Sequence, residues 1–172
     1  MSTEFEDEYE RWMNSPEEPD YSAMFGETLG TLELIDPVTL GSESSVADAV
    51  ATMNRHSIGC ILIVDDGKLE GIFTERDVLT RVAPKDMDQE QTSLATVMTH
   101  GPECLTVDDP VVHALNAMIA GGYRHVPILK GSRPVGVFGM RSCVRYIVEM
   151  HPDAVLNAPP PGVRSSFRPE GG

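Results

Sequence analysis

Cysteine, positive charge and long apolar runs are all scarce in this sequence, and each scarcity excludes something. The chain of 172 residues has three cysteines, Cys60, Cys104 and Cys143, far apart and odd in number. That argues against a disulfide framework, fits a reducing cytoplasm, and lacks the paired-ligand spacing of a zinc site. His56, His100, His113 and His151 show no metal-ligand spacing either, so no metal is expected. No run of 18 apolar residues occurs, so no membrane span is expected. No basic N-terminal region precedes an apolar stretch, so no signal peptide is expected. Lys and Arg number 13 against 27 Asp and Glu, a formal net charge of −14. No basic stripe with interleaved aromatics is present, and a surface of this sign repels a nucleic-acid duplex. Catalytic signatures are missing too: no His-Glu-x-x-His, no Ser-His-Asp order with a strained elbow, no glycine-rich phosphate loop before a lysine. Glu75 and Asp77 are neighbours on one helix turn rather than a facing acid and base. No enzyme is expected.

What remains is globular in composition, 41% apolar, and long enough for one ordinary domain or two small ones sharing a core. The ends differ from the middle. Residues 1–28 form an acidic arm, with eight acids and one base in the first twenty positions. Phe5, Tyr9, Trp12 and Met13 stand among those acids at helical spacing. The arm reads either as a short amphipathic helix that docks on the body or a partner, or as a partly ordered tail. Residues 152–172, with three consecutive prolines and a terminal Gly-Gly, read as a tail.

The middle repeats. Slid against itself by 65 residues, the sequence matches Leu29 with Leu94, Thr31 with Thr96, Pro37 with Pro102, Ala49 with Ala114 and Met53 with Met118. It also matches Ile63 with Ile128, Gly71 with Gly136, Phe73 with Phe138 and Arg76 with Arg141, all without a gap. The element pattern repeats with them. In the first copy, "PVTL" is a short strand. "SSVADAVATMNRH" is a helix with Val46, Ala49, Val50 and Met53 on one face, capped by Ser44 or Ser45. "GCILIV" and "KLEGIF" are strands joined by a tight Asp-Gly turn, and "ERDVLTRVA" is a helix that stops before Pro84. In the second copy, "ECLTV" precedes a helix "PVVHALNAMIA", with Asp109 as cap and Pro110 in the first turn. Strands "RHVPIL" and "PVGVF" follow around "KGS", then a helix "MRSCVRYIVEM". The expected boundaries are 29–88 and 89–151. A copy of about 60 residues buries too little area to stand comfortably alone. Two copies packed through their sheets share a core, with pseudo-twofold symmetry and a cleft between them.

With "SSVADAVATM", "CILIVDDGKLEGIFTERDVL", the lead-in "TSLATVMT", and "VVHALNAMIAGGYRHVPIL" followed by "PVGVF", the chain resembles a tandem cystathionine-beta-synthase (CBS) domain pair, or Bateman module, over roughly residues 29–150. The most specific pieces are "GIFTERD" and "YRHVPI". The resemblance implies an α+β fold of two strand-helix-strand-strand-helix units. It implies a regulatory module binding AMP, ADP or ATP between the units, with no cofactor required. It also implies a homodimer that forms a four-domain disc and acts on a separate effector protein.

Carried onto this sequence, the family's ribose-binding motif places Asp77, whose carboxylate accepts from both hydroxyls of a ribose. Thr74, at the helix opening, and the free N–H groups of the first turn suit a phosphate. The resemblance extends the phosphate role to Arg124 and His125, and to Arg76 and Arg141 at the two equivalent helix starts. The adenine slot draws on Thr39, Leu40 and Gly41, on Ile58, Gly59, Cys60 and Ile61, and on Pro127 and Ile128 opposite. The second copy departs from the pattern. Gly139 stands for Thr74 and Ser142 for Asp77, which implies one competent cleft per chain. Two other readings stay open. Thr74-x-x-Asp77 is also a capping box, which on its own stabilises a helix by about 1 kcal/mol, and the chain would then be a ligand-free scaffold for dimerisation or docking. Or the cleft takes NAD or S-adenosylmethionine, which carry the same ribose.

Overall fold

The computed structural model describes residues 26–150 and residue 152. The helical spacing of Phe5, Tyr9, Trp12 and Met13 and the C-terminal tail fall outside those residues.

The first unit runs β1 (Thr39–Leu40), α1 (Val46–His56), β2 (Cys60–Asp65), β3 (Lys68–Thr74) and α2 (Glu75–Asp77). A short β4 (Thr99–His100) follows. The second unit runs β5 (Leu105–Thr106), α3 (Val111–Gly121), β6 (His125–Lys130), β7 (Arg133–Gly139) and α4 (Met140–Met150). One sheet has the order β1-β2-β3-β4 and the other β5-β6-β7. The expected α+β architecture of two repeated units is present, and it repeats in fine detail. β1 pairs parallel to β2 as β5 does to β6, and both hairpins carry a register shift, at Ile63/Val64 and Ile128/Leu129.

Local chemistry explains most of the elements. Ser45 caps α1, its hydroxyl accepting from the Asp48 N–H at 3.0 Å while Asp48 accepts from the Ser45 N–H at 3.2 Å. Of the two serines offered by the sequence, Ser45 is the cap. Ser45→Ala is expected to cost about 1 kcal/mol, read as a lower denaturant midpoint with an unchanged slope. α1 buries Val46, Ala49 and Met53 and ends at Ser57, whose φ is 52°. Asp66 (φ 50°) and Gly67 (φ 76°) make the two-residue turn between β2 and β3, the backbone geometry that a tight hairpin requires.

Two expectations need correction. Asp109 does not cap α3. Its carboxylate turns back to accept from the Thr106 N–H and hydroxyl, and Pro110 takes the N-cap position. The first free N–H of α3, on Val111, donates instead to the Glu27 carbonyl at 2.9 Å. A segment remote in sequence thus does the work of a cap. The helix after β3 also does not stop before Pro84. Past Asp77 it widens to a π turn over Val78–Val82, where Ala83 N–H reaches the Val78 carbonyl, and a 3-10 turn (Ala83–Lys85) carries Pro84 near its start. Proline has no N–H to give, and it sits there in a first turn that asks for none.

The two units exchange their lead-in segments. Leu29 precedes the first unit but is buried in the second unit's core, with Val111, Ala114, Val126, Ile128 and Phe138. Leu94 precedes the second unit but is buried in the first unit's core, with Val46, Ala49, Ile61, Ile63 and Phe73. The hydrogen bonds repeat as well. Leu29 and Gly30 donate to the carbonyls of Asp109 and Val107, as Leu94 and Ala95 do to those of Ser44 and Ser42. β4 then pairs with β3, and Ile35 pairs with Val137 of β7. A Cβ on Gly71 would meet the Met98 Sδ at 2.5 Å, and one on Gly136 the Leu34 Cβ at 2.7 Å. The repeated glycine is therefore what lets each crossing segment lie close against its sheet.

Strand alternation divides the side chains. Ile61 and Ile63 face the first unit's helices. Cys60, Leu62 and Ile72 point the other way, where they pack with Val137 of the second unit. This shared layer brings β3 and β7 together. The candidate site lies where the first unit's helix start meets this layer.

Candidate functional site

β3 ends at Thr74, which pairs in register with Cys60 at the start of β2. The chain then enters α2, and the Glu75 N–H donates to the Gly59 carbonyl at 3.1 Å. These bonds hold Gly59, Cys60, Thr74 and Glu75 in one corner. Asp77 sits one turn later and is only 7% exposed. Its Oδ2 accepts from the Thr74 N–H at 2.9 Å and the Thr74 hydroxyl at 2.7 Å, and its own N–H points at that hydroxyl at 3.3 Å. Oδ1 pairs with Arg81 Nε at 3.2 Å. Thr74 and Asp77 thus form a capping box in this structure, and the carboxylate is held in one orientation from both sides. Oδ2 has two donors and Oδ1 one, so Oδ1 keeps open capacity for another.

Arg81 extends the arrangement. Its Nη1 donates to the Val97 carbonyl at 2.8 Å and its Nη2 to the Thr99 hydroxyl at 3.0 Å. Asp77 is therefore linked through one guanidinium to the crossing segment that leads into the second unit. Arg81 is not among the residues expected from the sequence, although its i,i+4 spacing from Asp77 is a usable signal.

The second unit contributes His125 to the same corner. His125 starts β6, opposite Gly139. A Cβ on Gly59 would lie 3.1 Å from His125 Cε1 and 3.2 Å from Glu75 Oε2. Gly59 of one unit thus lies between the imidazole of the other unit and a carboxylate of its own. By sequence, Glu75 is only a neighbour of Asp77 on one turn. Its placement beside His125 spans the two units, and no local pattern announces it.

Charge and burial set the protonation states. Burial pushes the His125 pKa down from 6.5, opposed by Glu75 and assisted by Arg124. Burial, with Glu75 adding to it, pushes the Cys60 thiol up to about 12, so Cys60 is a protonated packing residue rather than a nucleophile. A pH dependence follows. Below about 6.5 the unfolded chain binds a proton that folded His125 resists, so stability falls as pH drops through that region and is restored above it. His125→Gln is expected to flatten the stability curve from about pH 5 to about pH 7.5. If His125→Gln and the unchanged protein lose stability equally as pH falls across that range, the half-buried imidazole is not held neutral by the fold.

The remaining residues fall into groups. Arg76, Arg124 and Arg141 are all exposed. Pro127 shares the inter-unit face with His125 by strand alternation, whereas Ile61 and Ile128 are fully buried in the two helix-side cores. Those two lie on the wrong side of their strands to line a cleft between the units. Thr39 and Leu40 pair with Leu62 and Ile63, and Gly41 lies beside Asp65, whose carboxylate accepts from the Ser42 N–H. Gly41 and Cys60 thus stand towards opposite ends of β2, and Thr39–Gly41 is not gathered with Gly59 and Cys60. The strand register puts Val38 closer to that corner, its carbonyl accepting from the Leu62 N–H at 3.0 Å. Ile58 packs against the first unit's core. At the equivalent corner of the second unit, the Ser142 hydroxyl accepts a long 3.4 Å bond from the Gly139 N–H, and no carboxylate is present at that position. Among the described residues no group of three His, Cys, Asp or Glu side chains is placed to hold a metal ion. No helix there is long and apolar enough to cross a membrane.

Comparison with known proteins places this geometry. The CBS domain family model matches residues 32–84 and 94–149. The meiotically up-regulated gene 70 protein of Schizosaccharomyces pombe is 33% identical over 118 residues, which is 66% of this chain and 16% of that protein. The chain thus spans about a sixth of that relative. Among solved structures, the CBS-domain containing protein ATU1752 from Agrobacterium tumefaciens is 31% identical with a TM-score of 0.61, covering 66% of this chain and 90% of the other. The CBS domain pair of protein MJ0100, in complex with 5′-methylthioadenosine and S-adenosyl-L-methionine, is 25% identical with a TM-score of 0.63, covering 72% of this chain and 98% of the other.

Proposed function

Because this chain belongs to the CBS domain family, with one match on each of its two units, we propose that it is a regulatory module binding an adenosyl compound between them. The observation that carries this reading is Asp77. A carboxylate 7% exposed caps the helix start that follows the corner where Gly59 meets His125 of the other unit, and the other unit has none at the equivalent position. MJ0100, similar in fold and 25% identical, holds two adenosyl compounds, which supports the ligand class. Within that class AMP, ADP or ATP is the specific proposal. Arg76 and Arg124 supply the exposed cations that a phosphate needs against a body this acidic.

The mechanism rests on the same carboxylate. A ribose donating to Asp77 competes with the Thr74 hydroxyl and with Arg81. Any shift of Arg81 acts on Val97 and Thr99, its other partners. Ligand occupancy in the first unit is thereby coupled to the segment entering the second. The output passes to a separate partner protein. Coupling of this kind requires the ligand to prefer one arrangement by about 1–3 kcal/mol.

The ligand-free scaffold is the second reading, and one observation favours it: Asp77 is already engaged as a cap. Calorimetric titration with AMP, ADP, ATP, NAD and S-adenosylmethionine separates the two. The proposal expects saturable heat for at least one of them, at one ligand per chain. Silence with all five, on folded protein freed of carried-over ligand, would establish the scaffold.

A further inference from the structure

The corner at Gly59 holds a carboxylate that ribose binding does not use. Glu75 and His125 both reach over Gly59, where an added Cβ would lie 3.2 Å from Glu75 Oε2 and 3.4 Å from His125 Nε2. The ion pairs among the described residues are Arg81–Asp77, His113–Asp109 and Arg145–Glu33, so no ion pair there neutralises Glu75. Its charge is directed into the corner, where it helps raise the Cys60 thiol and opposes the fall of the His125 pKa.

We propose that Glu75 sets the ligand preference of this site, penalising each phosphate added at the 5′ end, so that affinity falls from AMP to ADP to ATP. Glu75 acts this way only if Asp77 accepts the ribose, as proposed above.

A charged 5′ group keeps to the solvent-open end of the site, where Thr74, Glu75 and Arg76 begin α2. The neutral donors at that end are already engaged within the chain. The Thr74 hydroxyl donates to Asp77 Oδ2 and faces the Asp77 N–H, and the Glu75 N–H donates to the Gly59 carbonyl. His125 brings little positive charge, because burial lowers its pKa. The remaining cations, Arg76 and Arg124, are exposed, and solvent screens them. They suffice for one phosphate. A longer chain of phosphates meets the field of Glu75 on a chain of net charge −14. Glu75 is itself exposed, so its effect is several-fold rather than absolute and weakens with salt.

Calorimetric titration with AMP, ADP, ATP and S-adenosylmethionine, at low salt and without divalent cations, tests this on the full chain, Glu75→Gln and Glu70→Gln. Glu70 is an exposed acid nearer the other end of β3, so its variant makes the same change in net charge away from the corner. The unchanged chain is expected to bind ATP several-fold more weakly than AMP, with a gap that narrows as salt is raised. Glu75→Gln should raise ATP affinity several-fold, raise AMP affinity less, and weaken S-adenosylmethionine, whose sulfonium is a cation. Glu70→Gln should keep the original ranking. Equal affinity for AMP and ATP in the unchanged chain overturns the proposal. So does an equal gain for all ligands in Glu75→Gln, the same re-ranking in Glu70→Gln, or S-adenosylmethionine binding alone with nucleotides still silent in Glu75→Gln. Tightening of ATP by magnesium that Glu75→Gln abolishes also overturns it, and would make Glu75 a metal ligand instead. Silence of all three proteins with every ligand is a separate failure, which removes the ribose reading of Asp77 as well.

Discussion

Asp77→Ala is expected to abolish adenosyl-ligand binding and to weaken the fold modestly, and the two effects separate cap from site. Two charge-assisted hydrogen bonds at about 1.5–3 kcal/mol each set the loss of affinity at roughly 100-fold or more. The stability cost comes from the lost capping box, about 1 kcal/mol, with Arg81 retaining its bonds to Val97 and Thr99. Thr74→Ala is the informative companion. It removes the hydroxyl that bridges Asp77 Oδ2 and the Asp77 N–H, yet leaves the carboxylate. It should lower the denaturant midpoint about as much as Asp77→Ala while keeping most of the affinity. A cap with no binding role gives a different pattern: both variants equally destabilised and neither altered in ligand response. Measuring calorimetric affinity and unfolding midpoint on the same preparations decides between them.

Leu29→Ala and Leu94→Ala are expected to be the most destabilising single changes outside the strands. Each side chain is fully buried, and a buried Leu→Ala costs about 2–5 kcal/mol through lost transfer free energy and the cavity left behind. The location of the damage is the sharper prediction. Leu29 precedes the first unit but packs among Val111, Val126 and Phe138, so Leu29→Ala should lower hydrogen-exchange protection first in α3, β6 and β7. Leu94→Ala should do so first in α1, β2 and β3. If each variant instead loosens the unit that follows it in sequence, the exchange of lead-ins does not hold. Gly71→Ala probes the same crossing from the sheet side, since its Cβ has only 2.9 Å to the Thr99 carbonyl oxygen.

The repeat, the order of elements and both hairpins are legible in the residues alone, because they rest on short-range signals. Apolar spacing on Val46, Ala49 and Met53 marks a helix face, and Asp66-Gly67 marks a tight turn whatever the rest of the chain does. The cap of α3 is not legible, for the converse reason. A local rule nominates Asp109, but the Glu27 carbonyl arrives from a remote segment and takes the Val111 N–H. The end of the helix after β3 escapes the local rule because proline forbids an interior α position while tolerating the first turn of a 3-10 segment. Ile61 and Ile128 do not belong to the expected adenine slot, and strand alternation, itself a sequence signal, sets them on the helix side.

The sequence by itself determined that the chain is a twofold-repeated α+β protein of the CBS domain family, and that only one repeat carries a Thr-x-x-Asp at its helix start. Those are matters of residue type and spacing, which survive without three-dimensional context. The tertiary structure decided which unit each lead-in segment completes, that Asp77 is tied through Arg81 to the crossing segment, and that Glu75 of one unit meets His125 of the other at Gly59. Each of these depends on the facing of two sheets through Cys60, Leu62, Ile72 and Val137. Burying that shared apolar layer brings together groups that are distant along the chain, and spacing within one repeat holds no record of what the other repeat will place opposite it.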